Sequence, residues 1–126
     1  MVRLSTRGRY ATRIMVYLAM EGNERPVPKQ QVADNEGISA DYVEQILMKL
    51  RTAGLVVSRR GVRGGFLIAP EGLNATVADI LNATEGSLDL APCLGERCER
   101  DTVCVTRPLW ERASQALIDV FSAVTM

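Results

Sequence analysis

The chain of 126 residues contains no histidine. That absence excludes Ser-His and Cys-His catalytic pairs, the HExxH metal site and any imidazole ligand. Neither GxxxxGK[ST] nor GxGxxG occurs, so no nucleotide-type phosphate loop is present. There is no CxxC, no internal repeat and no low-complexity tract. No apolar run is long enough to span a bilayer, which sets a membrane partner aside. Net charge is also missing: 15 basic residues balance 15 acidic ones. Cysteine is scarce, and its three copies all fall within residues 93–104, CLGERCERDTVC.

What remains describes one domain with enough apolar residues, 47%, to bury a core. The neutral total hides a division. Residues 1–65 carry eleven Lys/Arg and six Asp/Glu, a balance of +5, and the remainder carries four and nine, a balance of −5. A basic half can face phosphates while an acidic half faces away. The first twenty residues hold four arginines and no acid. Leu4, Tyr10, Ile14, Met15 and Leu18 lie near helical spacing and no small-residue cleavage site follows, so a helix is expected rather than a targeting peptide. The expected location is the cytoplasm.

The patterns predict a helix over 6–22, capped by Ser5 or Thr6. NERPVP (23–28) reads as a turn or short extended link, and 29–37 as a short helix closed by Gly37. A stronger helix follows over 38–54, with Ser39 as N-cap, Asp41 in its first turn and Gly54 at its end. Its apolar face is Tyr42, Val43, Ile46, Leu47 and Leu50. LVVS (55–58) and FLIA (66–69) read as strands around the hairpin tip RRGVRGG. Another helix covers 75–86, the cysteine stretch has no periodicity, and 106–126 reads as a long amphipathic helix. Its stripe is Leu109, Trp110, Ala113, Leu117, Val120, Phe121 and Val124.

Helix, short helix, capped helix and hairpin in that order form the winged helix-turn-helix plan. The expected fold is therefore mainly α with a small β-hairpin, with a DNA-binding domain over 1–87, a cysteine-rich loop over 88–105 and a dimerisation helix over 106–126. Double-stranded DNA is the expected partner. Ser39, Tyr42, Glu44, Gln45 and Lys49 lie on the exposed side of the second helix of the pair. Gln reads adenine and Glu accepts from cytosine, while Lys49 and Arg51 suit phosphates. Arg59, Arg60 and Arg63 stand on the tip, where an arginine can enter a narrow minor groove and three glycines permit close backbone approach. Taken singly, each feature also fits a solvated helix face or a soluble turn.

RLSTRGRYA, GISADYVEQILMKLRTAGLV, SRRGVRGGF and a three-cysteine loop followed by LW occur in order along nearly the whole chain. Together they resemble the bacterial winged-helix regulators that sense through an iron–sulfur cluster, the IscR/NsrR type. The resemblance implies a homodimeric transcription regulator, not an enzyme, with a cluster on the cysteine loop. It places Ser39, Tyr42, Glu44 and Gln45 toward the groove and makes Ser58, Arg60 and Gly61 wing contacts. Two departures stand out. The spacing is C-x4-C-x5-C, where many relatives have five residues in the first gap. The histidine that one branch uses after the third cysteine is Arg107 here, and the N-terminal aspartate of another branch is absent from Arg7-Gly8-Arg9.

Thiolates are soft ligands, so Cys93, Cys98 and Cys104 suit an iron–sulfur cluster or zinc. Zinc normally takes four protein ligands in a structural site. A structural disulfide fits poorly, since three is odd and the cytoplasm is reducing. A cluster-free thiol sensor and a small iron–sulfur or thiol redox protein are the alternatives. With three cysteines a [4Fe–4S] cluster is favoured over [2Fe–2S]. Its fourth ligand stays open among Glu96, Glu99, Asp101, a partner chain, a small molecule and water. Thr106 is expected to cap the last helix and, with Arg97, Arg100 and Arg107, to lower the thiol pKa values. The stripe on that helix predicts a homodimer, and two-fold symmetry predicts a pseudo-palindromic operator.

Overall fold

The computed structural model describes residues 3–21, 25–95 and 103–126. Helix α1 (Thr6–Glu21) opens the chain. Ser5 caps it, its hydroxyl oxygen accepting the Gly8 amide at 3.0 Å. Ala11, Ile14, Met15 and Leu18 recur at helical spacing and are buried. Leu4, grouped with them by the sequence pattern, lies before the helix and is exposed.

Helices α2 (Lys29–Glu36) and α3 (Ala40–Thr52) form the helix-turn-helix pair. Gly37 makes the turn in the left-handed region, φ 69°, and its amide bonds back to the Ala33 carbonyl at 2.9 Å. A side chain there would strain the backbone, which is why glycine serves. Ser39 caps α3 by accepting the Tyr42 amide at 3.1 Å. Val43, Ile46, Leu47 and Leu50 are fully buried, so one face of α3 is committed to the core and the other is free. Tyr42 is only half-buried, at the border of the two faces.

The wing is the antiparallel pair β1 (Val56–Arg59) and β2 (Gly65–Ile68), in register Val56 to Ile68 and Arg59 to Gly65. Each strand lies within one residue of its expected position. Val27 joins this ladder: it exchanges amide hydrogen bonds with Phe66 at 2.9 and 2.8 Å. The proline-flanked link before α2 is therefore extended and ties the helix pair to the wing.

A short 3-10 helix over Pro70–Asn74, not marked by periodicity, leads to α4 (Val77–Glu85). Thr76 and Asp79 close the start of α4 with a reciprocal capping box. The cysteine segment, read as irregular, contains one helical turn, α5 (Pro92–Gly95). Helix α6 (Arg107–Ser122) ends earlier than the expected 126. The last residues leave the helix because Val124 and Met126 bond to Val77 and Ala75, returning the C-terminus to the start of α4. Helix α4 packs against α1, α3 and α6 and sits at the centre of the core. Among the described residues no helix is long and apolar enough to cross a membrane.

Candidate nucleic-acid interface and thiol site

The free face of α3 carries Asp41, Glu44, Gln45, Met48 and Lys49, all exposed, with Ser39 at its head. Glu44 lies 3.3 Å from the ammonium group of Lys29 on α2. An exposed pair of this kind is weak, so Glu44 can exchange it for another donor. The Ser39 oxygen is engaged as a cap and Tyr42 is wedged against α1. The Tyr10 and Tyr42 rings meet edge to face, 6.2 Å apart at 76°. The Arg13 guanidinium covers Tyr10 at 5.8 Å and reaches the Glu36 carboxylate at 2.7 Å. The Glu36 side chain is only 4% exposed; the contact is a close ion pair without an aligned hydrogen bond. This chain of groups links α1, α2 and α3. Sequence periodicity did not single out Arg13, Glu36 or Lys29, because ion pairs between helices leave no periodic signal.

On the wing, Ser58, Arg59, Arg60, Gly61 and Arg63 are all exposed. The three arginines form no ion pair among the described residues. Val62 between them is fully solvent-exposed. Two of the three wing glycines are set by packing within the protein. A Cβ on Gly65 would strike the Val27 backbone, and one on Gly64 would strike the Arg59 carbonyl. Folding of the wing itself thus requires both, and only Gly61 borders open space.

Cys93 lies in α5 and Cys104 just before α6; both are half-buried and free. Cys98, with Glu96, Arg97, Glu99, Arg100 and Asp101, lies outside the described residues. Arg107 donates from Nη1 to the Cys93 carbonyl at 3.1 Å and pairs through Nε with Glu111 at 2.9 Å. The expected Thr106 cap is not formed through its side chain. Thr106 itself adopts a helical backbone, and its hydroxyl lies 3.4 Å from the Cys104 sulfur instead. That hydroxyl lowers the Cys104 thiol pKa, helped by the backbone amides of Thr106 and Arg107 and by the Arg107 charge. The thiol is therefore biased toward the thiolate, the form that binds metals and reacts with oxidants. Among the described residues no three His, Cys, Asp or Glu side chains converge on a metal-sized site. The donor chemistry still suits a thiophilic iron group: two free cysteines are tied to the head of α6, Cys93 through its carbonyl and Cys104 through its sulfur, and the Cys104 thiol is biased toward its charged form.

The apolar stripe of α6 divides. Leu117 and Phe121 are half-buried, as is Ala113, and Ser114 is buried where its hydroxyl accepts the Leu90 amide at 2.9 Å. Leu109, Trp110, Val120 and Val124 remain exposed, by 55, 40, 62 and 51%.

A helix-turn-helix pair with an extended basic hairpin defines a winged-helix DNA-binding regulator. The Rrf2 model, described as an iron-dependent transcriptional regulator, matches residues 4–126, and the chain belongs to that family. The HTH-type transcriptional regulator IscR of Vibrio vulnificus is 33% identical over 126 residues, covering 99% of this chain and 75% of its own. Among solved structures, CymR (YrzC), the global cysteine regulator of B. subtilis, superimposes with a TM-score of 0.79 at 35% identity, over 99% of this chain and 93% of that one. IscR of T. potens gives 0.78 at 34% identity, over 98% and 82%. The protein is thus a winged-helix transcription regulator and not an enzyme.

Proposed function

We propose that this regulator acts as a cytoplasmic homodimer on a pseudo-palindromic operator. It senses iron–sulfur, redox or nitric oxide status through an iron–sulfur cluster on Cys93, Cys98 and Cys104. The observation that carries the reading is the attachment of the thiol segment to α6: Arg107 grips the Cys93 carbonyl and Thr106 contacts the Cys104 sulfur. A bound cluster supplies electron transfer and sensitivity to oxidants. The chain's own residues supply the rest. Cys104 presents a sulfur biased toward thiolate, and Arg107 offsets negative charge beside it.

Ligand gain or loss at these sulfurs alters the head of α6. Helix α6 packs on α4, and α4 packs on α3, giving the thiol state a continuous route to the reading helix. Ser39, Tyr42, Glu44 and Gln45 take the major groove, Lys49 meets a phosphate beside it, and Ser58, Arg59, Arg60, Gly61 and Arg63 take the backbone and minor groove. The exposed side of α6, Leu109, Trp110 and Val120, forms the two-fold contact, with Ala113, Leu117 and Phe121 lining its edge. In this division 1–87 binds DNA, 88–105 senses and 106–126 dimerises. A [4Fe–4S] cluster remains favoured over [2Fe–2S], and over a cluster-free thiol regulator.

Purification without oxygen followed by visible spectroscopy tests the proposal. A broad band near roughly 400 nm that air bleaches is expected for [4Fe–4S]. Protein still colourless after iron and sulfide reconstitution would overturn the cluster. Equal operator affinity of loaded and stripped protein would overturn the sensing role.

A further inference from the structure

Beside the head of α3 lies a depression of about 260 Å³, lined by Thr6, Tyr10, Ile38, Ser39 and Tyr42. Its walls are two aromatic rings, an isoleucine side chain and small aliphatic groups. The edge-to-face contact of Tyr10 with Tyr42 sets its shape. Two of its side-chain oxygens are engaged. The Ser39 oxygen accepts the Tyr42 amide at 3.1 Å, and the Thr6 oxygen faces Arg9 at 3.4 Å. The adjoining cleft shares Thr6 and Tyr42 and is bordered by Arg3, Arg7 and Arg9, with one carboxylate, Glu85, that is hydrogen-bonded to Ser5. Arg3 and Arg7 form no ion pair among the described residues.

An apolar hollow with a cationic margin, at the end of a helix that reads base edges, matches one feature of duplex DNA. Phosphates satisfy the margin, and the hollow takes an apolar group from a base. In the major groove the one such group is the C5-methyl of thymine. We infer that the hollow between α1 and α3 reads a thymine methyl in each operator half-site, with Ile38 and Thr6 as specificity-determining residues. The inference rests on the DNA-binding reading above and deepens it. It divides the labour on α3: Glu44 and Gln45 present hydrogen-bonding groups further along the helix, while its first turn reads shape and methyl content.

The test starts from an operator obtained by in vitro selection from random duplexes. Each thymine is then replaced singly by deoxyuridine, which removes only the methyl group, and affinity is measured at fixed salt. One thymine per half-site is expected to show a loss of about four-fold, the scale of one buried methyl. Ile38→Ala is expected to abolish that difference between thymine and deoxyuridine. Because Ile38 also packs against the core, Thr6→Ser serves as a second variant. It removes one methyl, keeps the hydroxyl, and is expected to reduce the difference without changing the melting temperature. Tight binding with a flat deoxyuridine scan would overturn the methyl contact and leave the DNA-binding reading intact. An unchanged thymine preference in both variants would do the same. Failure to select any preferred duplex would overturn the DNA-binding reading and this inference with it.

Discussion

Glu85 accepts hydrogen bonds from both the amide and the hydroxyl of Ser5, at 2.8 and 2.6 Å, across 80 residues of sequence. The last residue of α4 therefore completes the cap of α1, since the same Ser5 oxygen takes the Gly8 amide. A carboxylate here also meets the positive end of the α1 dipole. A Cβ on Gly8 would meet the Glu85 carboxylate, so a side chain there would have to displace it from Ser5. Glu85→Ala should lower stability by about 1–2 kcal/mol, and Glu85→Gln by less, read from urea midpoints at constant m-value.

The Thr106 hydroxyl holds the Cys104 thiol below its ordinary pKa. With Cys93 and Cys98 replaced by serine, alkylation of Cys104 should reach half its maximal rate at a lower pH than a free cysteine does. Thr106→Val removes the largest contribution and should move that midpoint upward. A midpoint unaffected by Thr106→Val would deny the hydroxyl this role.

Arg60 is exposed on the wing, with no ion pair among the described residues to compete for it. Arg60→Ala should weaken operator binding more than binding to random DNA at the same salt, narrowing the specificity ratio. Lys49→Ala, which removes a proposed phosphate contact, should weaken both alike and flatten the salt dependence by about one unit of slope. Titrations at several salt concentrations separate the two patterns.

Gly65 lies against the Val27 backbone at the base of the wing. Gly65→Ala should push the Val27 segment off β2 and break the two hydrogen bonds between Val27 and Phe66. Loss of amide-exchange protection at Phe66 would report this, while α1 and α4 keep theirs.

Val120 is 62% exposed on the outer side of α6. Val120→Glu should shift a dimer toward monomer without unfolding it, because the side chain is not needed by its own core. Sedimentation at micromolar concentration reads the shift, and a wild-type monomer under those conditions would remove the dimer proposal.

Interactions within one turn were legible in the sequence. Ser39 at the head of α3, Gly37 in the turn and the buried quartet Val43, Ile46, Leu47 and Leu50 all depend on neighbours three or four residues away. Thr106 is the N-cap residue of α6, as local spacing suggested, yet its side chain does not cap. The Cys104 sulfur lies close enough for the Thr106 hydroxyl to interact there instead. The α6 stripe likewise looked uniform, because periodicity marks which residues are apolar and not which of two surfaces covers them.

Sequence alone determined the order of elements, the basic hairpin and the clustering of all three thiols in one segment, since local spacing, charge and turn chemistry are written along the chain. Tertiary structure alone decided that Glu85 caps α1, that Val27 braces the wing, that Arg107 grips the thiol segment, and that Tyr10 and Tyr42 frame a hollow beside the head of α3. Each of these joins groups far apart in sequence. Such contacts form only when burial of the shared core brings the elements together, so no local pattern records them.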